Sequence, residues 1–227
     1  PGGSLEYSFD FAVVIDQWRE LFWGCILTLQ LTALAVPITL ALAILAVFVL
    51  QLRERISTAI IQAFVEIVRN TPFLVQIFFL FFGLPTIGIR LDPNIAAVLA
   101  LGLNGAAYAI EIIRSGVDAL PKGQVEAGKA LGMKPFQIFR HIILKPALRT
   151  IYPALTSQFI FLMLTSSIAS SITARELTHV GAEIEATTFR SFEVYFVITG
   201  LYLVMSVFLS KIFAVIGRLS FSYPTSR

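Results

Sequence analysis

Charge is what this chain has least of. Only 14% of its 227 residues are Asp, Glu, Lys or Arg, against about 25% in soluble domains. That deficit excludes a surface wetted on all sides. Cysteine is almost absent: Cys25 stands alone inside an apolar run, which excludes an internal disulfide and reads as a small buried side chain. The two histidines, His141 and His179, fall in separate loops, so neither a metal site nor histidine catalysis is expected. No Gly-x-x-x-x-Gly-Lys-Ser/Thr phosphate loop occurs, so the chain is not expected to bind or hydrolyse a nucleotide. No tandem repeat or low-complexity stretch is present. The start, Pro1-Gly2-Gly3-Ser4, has no basic region followed by a short apolar segment and reads as a processed or appended end rather than a leader.

What is present is long apolar runs. Hydrophobic residues make up 57% of the chain, concentrated in segments 21–50, 72–89, 95–113, 147–172 and 194–216. Each has about 18 residues or more, and a hydrocarbon core of about 30 Å needs about 20. The expectation is one all-α integral membrane domain, 1–227, with five transmembrane helices. Residues 57–69 are amphipathic and are predicted at the interface, as is 173–193. Asn70 or Thr71 is predicted to cap the second span, with Pro72 in its first turn, where a missing N–H costs nothing.

Basic residues orient the bundle. With the N-terminus outside, the inner loops and tail hold Arg53, Arg55, Arg69, Arg114, Lys122, Lys129, Lys134, Arg140, Lys145, Arg149, Lys211, Arg218 and Arg227, 13 in all. The outer side holds Arg19, Arg90, Arg175 and Arg190, only 4. This positive-inside bias predicts the N-terminus outside and the C-terminus in the cytoplasm. The net charge of +3 is therefore topological, and nucleic acid is not an expected partner.

Polar residues inside the runs form stripes. Asn104, Tyr108, Glu111 and Ser115 share one face of the third segment, Thr28, Thr32, Ala35 and Thr39 one face of the first, and Tyr195, Thr199, Tyr202, Ser206 and Ser210 one face of the fifth. The fourth carries Gln158 and Thr165 two turns apart, then a serine-rich end from Ser166. Such stripes either bond neighbouring helices, at about 0.6 kcal/mol per bond, or converge on a cavity that passes a polar solute. The second reading makes Gln76, Asn104, Tyr108, Gln158, Thr165 and Ser166 candidate solute contacts. Glu111 and Arg114, three apart, are predicted to pair structurally.

The inner loop, 116–146, is the most informative stretch. Pro121 suits the start of a short helix, Gly132 its end, and Pro135 the first turn of a second helix. A helix of about ten residues cannot cross a bilayer and is predicted at the surface. Its small residues Ala127, Gly128 and Ala130 allow close approach, and Phe136 and Phe139 offer apolar contact to a cytoplasmic partner with a groove. Gly128 and Gly132 have the spacing of a membrane dimer motif, but they sit in the loop, which discounts that reading.

This loop resembles the "EAA" signature of bacterial ABC-importer permeases through Glu126, Ala127, Gly132, Ile142 and Leu144. It departs from that pattern at Gly128, where alanine is expected, and at Lys145, where proline is expected and arrives one residue later as Pro146. Further stretches are similar to the polar amino-acid (histidine/glutamine/arginine/opine-type) subfamily: Thr28-Leu-Gln-Leu-Thr32, Glu66 with Arg69-Asn-Thr-Pro72 and Gln76, Phe82-Gly-Leu-Pro85, Asn104-Gly-Ala-Ala-Tyr108, Arg175-Glu-Leu-Thr178 and Thr188-Phe-Arg190. Many members carry charge at the positions of Gln158 and Leu164. The uncharged pair here leaves the substrate's charge open and points to a partner permease as the source of charged contacts.

The resemblance implies a type I (MetI-like) importer-permease fold in the bacterial inner membrane. It implies two permease subunits, identical or homologous, surrounded by lipid and fed with an amino acid by a periplasmic binding protein. Two cytoplasmic ATPases would bind ATP and Mg, the chain itself holding no cofactor or metal. Gln124, Glu126, Ala127, Gly128, Gly132, Met133, Phe136 and Phe139 would meet the ATPase. Two other readings stay open: a stand-alone secondary transporter or channel, which would want intramembrane ionisable groups or inverted repeats, and a scaffold subunit that touches no substrate.

Overall fold

The computed structural model describes residues 8–221; segment 1–4 and Arg227 lie outside them. Every regular element among the described residues is helical. The chain runs through α1 (Ala12–Ile15), α2 (Trp18–Gln51), α3 (Arg55–Arg69), α4 (Phe73–Phe78), α5 (Pro93–Asp118), α6 (Lys122–Ala130), α7 (Pro135–Ile138), α8 (Lys145–Thr165), α9 (Leu177–Thr188) and α10 (Ser191–Phe221). A π-helical stretch, Phe139–Leu144, joins α7 to α8, and a 3-10 stretch, Ser166–Ile172, extends α8.

Among the described residues, four helical spans are long and apolar enough to cross a membrane: Trp18–Gln51, Pro93–Asp118, Pro135–Ile172 and Ser191–Ser220. The fifth predicted span takes a different form. Segment 72–89 becomes α4, a π turn over Phe79–Gly83 and a 3-10 turn over Leu84–Ile87. This path, Phe73–Ile87, rises only about 22 Å at about 1.5 Å per residue, too short to cross alone. Pro85 supplies no N–H to continue the α ladder. Arg55–Arg69 and Phe73–Ile87 pass as a span only together, bent by 108° at their junction. The predicted cap there is also different. Pro72 holds the cap position with no side-chain bond. Asn70 Nδ2 donates to the carbonyl oxygen and carboxylate of Glu66, at 2.8 and 2.9 Å. Thr71 Oγ1 donates to Ile67 O. Both side chains close α3 rather than open α4.

The central seam pairs α2 with α5, the most extensive helix contact in the bundle. Lipid tails are as apolar as leucine, so helices in a bilayer gain little by hiding apolar area from one another and associate through close packing. Ala35 and Ala43 on α2 and Ala100, Ala106, Ala107 and Ala109 on α5 are buried. A Cβ on Gly105 would stand 2.5 Å from Thr39 Oγ1 and 3.3 Å from Leu162. Thr39 Oγ1 donates to Gly102 O at 3.2 Å. About three turns further along the same face of α5, a Cβ on Gly116 would run into the Ile151 side chain of α8.

Asp92 caps α5 by accepting from Asn94 N at 2.8 Å, with Pro93 in the first turn. The predicted interfacial stretch 173–193 contains α9, whose Leu177, Val180, Gly181 and Ile184 are buried against α2 and α10. A Cβ on Gly24 of α2 would lie 3.0 Å from Leu177 Cα, so α9 rests directly on the α2 backbone.

Filling the seam should therefore weaken the whole bundle. Gly105→Val is expected to lower the apparent Tm of the detergent-solubilised protein by about 5 °C, the scale of an overpacked core site. Gly123→Ala, with open space beyond its Cβ, should change it by less than about 2 °C. Equal melting of both variants would contradict the seam's role.

Candidate functional site

The short helix of loop 116–146 forms as the loop sequence predicts. α6 follows Pro121, and Gly132 ends it at φ +73°, a left-handed conformation that glycine adopts without steric cost. Gly132 N donates to Lys129 O at 3.0 Å and Met133 N to Gly128 O at 3.1 Å, the paired bonds of a Schellman stop. Lys134 N donates to Gln137 Oε1 at 2.8 Å, and Pro135 opens α7. The result is a hairpin beneath the bundle.

Its residues divide by direction. Gln124, Glu126, Ala127, Ala130 and Gly132 are exposed, and Phe136 is 57% exposed. Met133 is half-buried. Two of the residues expected to face a partner instead face this chain. Gly128 is buried, and a Cβ there would stand 2.6 Å from Ile142 Cδ1. The glycine in place of the expected alanine makes room for that isoleucine. Phe139 is 4% exposed, its ring 5.1 Å from that of Phe48 on α2, with Phe136 meeting Phe48 edge-on at 5.8 Å. A cavity of about 570 Å³ separates the end of α2 from the hairpin, lined by Gln51, Arg53, Glu126, Lys129 and Met133 among others. Sequence reading missed Leu131, 81% exposed at the tip; its signal was an apolar residue just before the helix-ending glycine.

The polar stripe of α5 meets α3 and α4. Asn104 Nδ2 donates to Gln76 Oε1 at 3.0 Å. Gln76 Nε2 in turn reaches Val68 O at 2.8 Å and Thr71 Oγ1 at 2.9 Å. One turn inward, the Arg69 guanidinium lies 5.4 Å over the Tyr108 ring and 3.8 Å from Glu111. Glu111 pairs with Arg114 at 2.6 Å, as expected, and Arg114 also reaches Asp118 at 3.4 Å. A cavity of about 480 Å³ opens beside this run, lined by Glu111, Arg114 and Asp118 with Arg53, Gln62 and Glu66. Arg69 was read for topology and as part of a subfamily stretch but not for a contact, because its reach across to α5 is a tertiary fact.

Thus Gln76, Asn104 and Tyr108 come together. The other three candidates do not join them. Thr165 Oγ1 donates to Phe161 O and Ser166 Oγ to Met163 O, both satisfied by their own helix. Gln158 Nε2 is buried without a partner, a state that costs about 1–3 kcal/mol. The other stripes are bonded elsewhere. Thr28 and Thr32 bond back along α2, and Thr28 Oγ1 also accepts from Leu177 N at 3.2 Å. Tyr202 and Tyr195 of α10 reach Glu176 and Glu185 at the two ends of α9, each at 2.7 Å.

Glu176 is a further residue that sequence reading passed over. It is fully buried, caps α9 through His179 N at 2.9 Å and holds the Tyr202 hydroxyl. Burial pushes its carboxyl above the ordinary 4.5, against the hydrogen bonds from Thr178 N, Tyr202 and His179 N.

Residues 35–219 match the family described as binding-protein-dependent transport system inner membrane component. The chain belongs to this family. The permease is 34% identical over 206 residues to the glutamine transport system permease protein GlnP of Escherichia coli, covering 90% of this chain and 94% of that one. It is 31% identical over 213 residues to the nopaline transport system permease protein NocM of Agrobacterium fabrum, covering 89% and 88%. Among solved structures, an amino acid ABC transporter with histidines superposes with a TM-score of 0.81 at 34% identity, over 93% of this chain and 99% of that one. The inward-facing MetNI methionine ABC transporter, at 21% identity and a TM-score of 0.69 over 90% and 95%, shares the fold. The permease therefore has the type I, MetI-like fold. It is a multi-pass membrane transport subunit and not an enzyme.

The raised Glu176 carboxyl makes a signed prediction. The folded state holds this proton more tightly than the unfolded one, so stability falls as pH rises from about 4.5 through the raised folded value. The Tm should drop as pH rises above the ordinary carboxylate range, and Glu176→Gln should flatten that slope. An unchanged slope in the variant would assign it to other groups.

Proposed function

We propose that this permease is half of the translocation pathway of an ATP-driven importer that carries a polar amino acid from the periplasm to the cytoplasm. It would sit in the bacterial inner membrane with its N-terminus outside and its C-terminus inside, as the basic residues favour. A second permease, identical or homologous, would complete the pathway. A periplasmic binding protein would deliver the substrate, and two cytoplasmic ATPases would bind ATP and Mg. The glutamine and nopaline relatives and the amino acid transporter structure support the substrate class.

The observation that carries this reading is the hairpin: a two-turn helix offers Gln124, Glu126, Ala127 and Leu131 outward, on a base clamped to α2 by Phe48 and Phe139. An exposed knob on a fixed base suits a partner that pushes and pulls it. Met133 and Phe136 would flank that contact; Gly128 and Phe139 would support it from within. The amide run of Gln76 and Asn104 beside Tyr108 is the proposed substrate contact on this subunit. Gln158, with a buried N–H in want of an acceptor, would complete it from α8, and Thr165 and Ser166 would line the same path further out.

Gly132 separates docking from folding. A Cβ there meets nothing within 4 Å in this chain, so Gly132→Arg obstructs only what lies outside, beyond a left-handed penalty of about 1–2 kcal/mol. Asparagine tolerates that conformation better. Gly132→Arg should lose the ATPase on co-purification and cut ATP-driven amino acid uptake at least about tenfold, the effect of losing about 1.4 kcal/mol of docking. Gly132→Asn should keep both. Full assembly and uptake in the arginine variant would overturn the docking assignment. Asn104→Leu should reduce uptake while the ATPase stays bound; normal uptake would remove Asn104 from the pathway.

A further inference from the structure

The groove between α8 and α10 at the basic end of the bundle has no role in the reading above. Tyr152 of α8 lies flat against α10, where a Cβ on Gly217 would stand 2.6 Å from its ring. Its hydroxyl donates to Phe213 O at 2.7 Å. Beside this contact a cavity of about 410 Å³ opens, walled by Thr156, Ser157 and Ile160 of α8 and by Ser210, Ala214 and Arg218 of α10. Ser157, Ser210, Ala214 and Arg218 are exposed along it. The groove thus has apolar walls, hydroxyls along its length and a guanidinium at one end.

The charge around it is of one sign. Lys211, Ala214 and Arg218 stand at i, i+3 and i+7 on α10, so exposed Lys211 shares the helix face of Ala214 and Arg218, which line the groove. The helical span Pro135–Ile172 has no Asp or Glu at all. In α10 the only acid is Glu193, about 37 Å from Arg218 at the other end of the helix. The acids of neighbouring α5 are committed elsewhere, Glu111 and Asp118 both to Arg114. Around α3 the bases are interleaved with Glu54 and Glu66; among the described residues no acid of α8 or α10 stands near Lys211 and Arg218.

We propose that this groove binds an anionic phospholipid, with its phosphate at Arg218 and Lys211 and an acyl chain along Ile160 and Ala214. Basic pockets between transmembrane helices attract acidic headgroups, at about 1 kcal/mol for each lysine or arginine near the surface. The hydroxyls of Thr156 and Ser157 already donate to Pro153 O, so neither calls for a polar solute. The inference needs only that the chain is a membrane protein; it stands or falls independently of the transport reading, because the test reads the lipid headgroup and not uptake or ATPase binding.

Native mass spectrometry of the full chain tests it, after reconstitution in equal parts phosphatidylglycerol and phosphatidylethanolamine and mild extraction. Phosphatidylglycerol should be retained in preference to phosphatidylethanolamine. Retention should fall on the order of tenfold in the double variant Lys211→Gln, Arg218→Gln. It should survive in Arg218→Lys, and be lost in Ala214→Phe, which fills the groove without changing charge. The control Arg53→Gln, Arg55→Gln should retain the lipid as wild type does. Equal retention of the two lipids by wild type, or undiminished phosphatidylglycerol in both groove variants, would overturn the proposal. So would cysteines at Ser157 and Ser210 that cross-link to a second copy of the chain, since that copy and not lipid would then fill the groove.

Discussion

Everything in this bundle hangs on how closely two backbones can approach inside lipid. The α2–α5 seam is built from alanine, glycine and a threonine that bonds a carbonyl across it. Soluble helices can hold together by removing apolar area from water. In a bilayer that term nearly vanishes, and proximity with dispersion contact takes its place. Once α5 lies against α2, Gly116, about three turns along from Gly105, receives α8, and Asn104 and Tyr108 meet α4 and α3. The N-terminal half of α2 receives α9 at Gly24 by the same device.

The second constraint is that polar groups in the membrane need partners, and each stripe finds a different one. The α2 threonines bond along their own helix and to the start of α9. The α10 tyrosines tie down both ends of α9 through Glu176 and Glu185. Only the α5 stripe meets other side chains in a continuing run, from Gln76 and Asn104 to Arg69 and Glu111. Helical periodicity identifies which residues share a face. It says nothing about what that face meets, so three stripes of equal register read alike in sequence and differ in purpose.

Legibility followed locality. Pro121, Gly132 and Pro135 act on their own backbones, and the helix boundaries they set fell where the chemistry of proline and glycine puts them. The long spans were legible for the same reason, since length and apolarity are properties of the segment itself. What failed depended on distance. Segment 72–89 reads as one apolar run, yet it folds as successive α, π and 3-10 turns that cross only in company with α3. Gly128 and Phe139 looked outward in sequence and are held inward by Ile142 and Phe48, residues that no local rule pairs with them. Glu176, read as part of a polar outer loop, is fully buried because Tyr202, 26 positions later, turns to meet it.

The length of α2 has a mechanical consequence. Gly24, under α9, and Phe48, in the aromatic clamp of the hairpin, are about 36 Å apart along one helix. Between them Pro37 interrupts the backbone ladder next to the residues that press on α5. One continuous helix thus joins the hairpin to α9, and the weakest point of its own hydrogen-bond ladder falls where α5 braces it from the side.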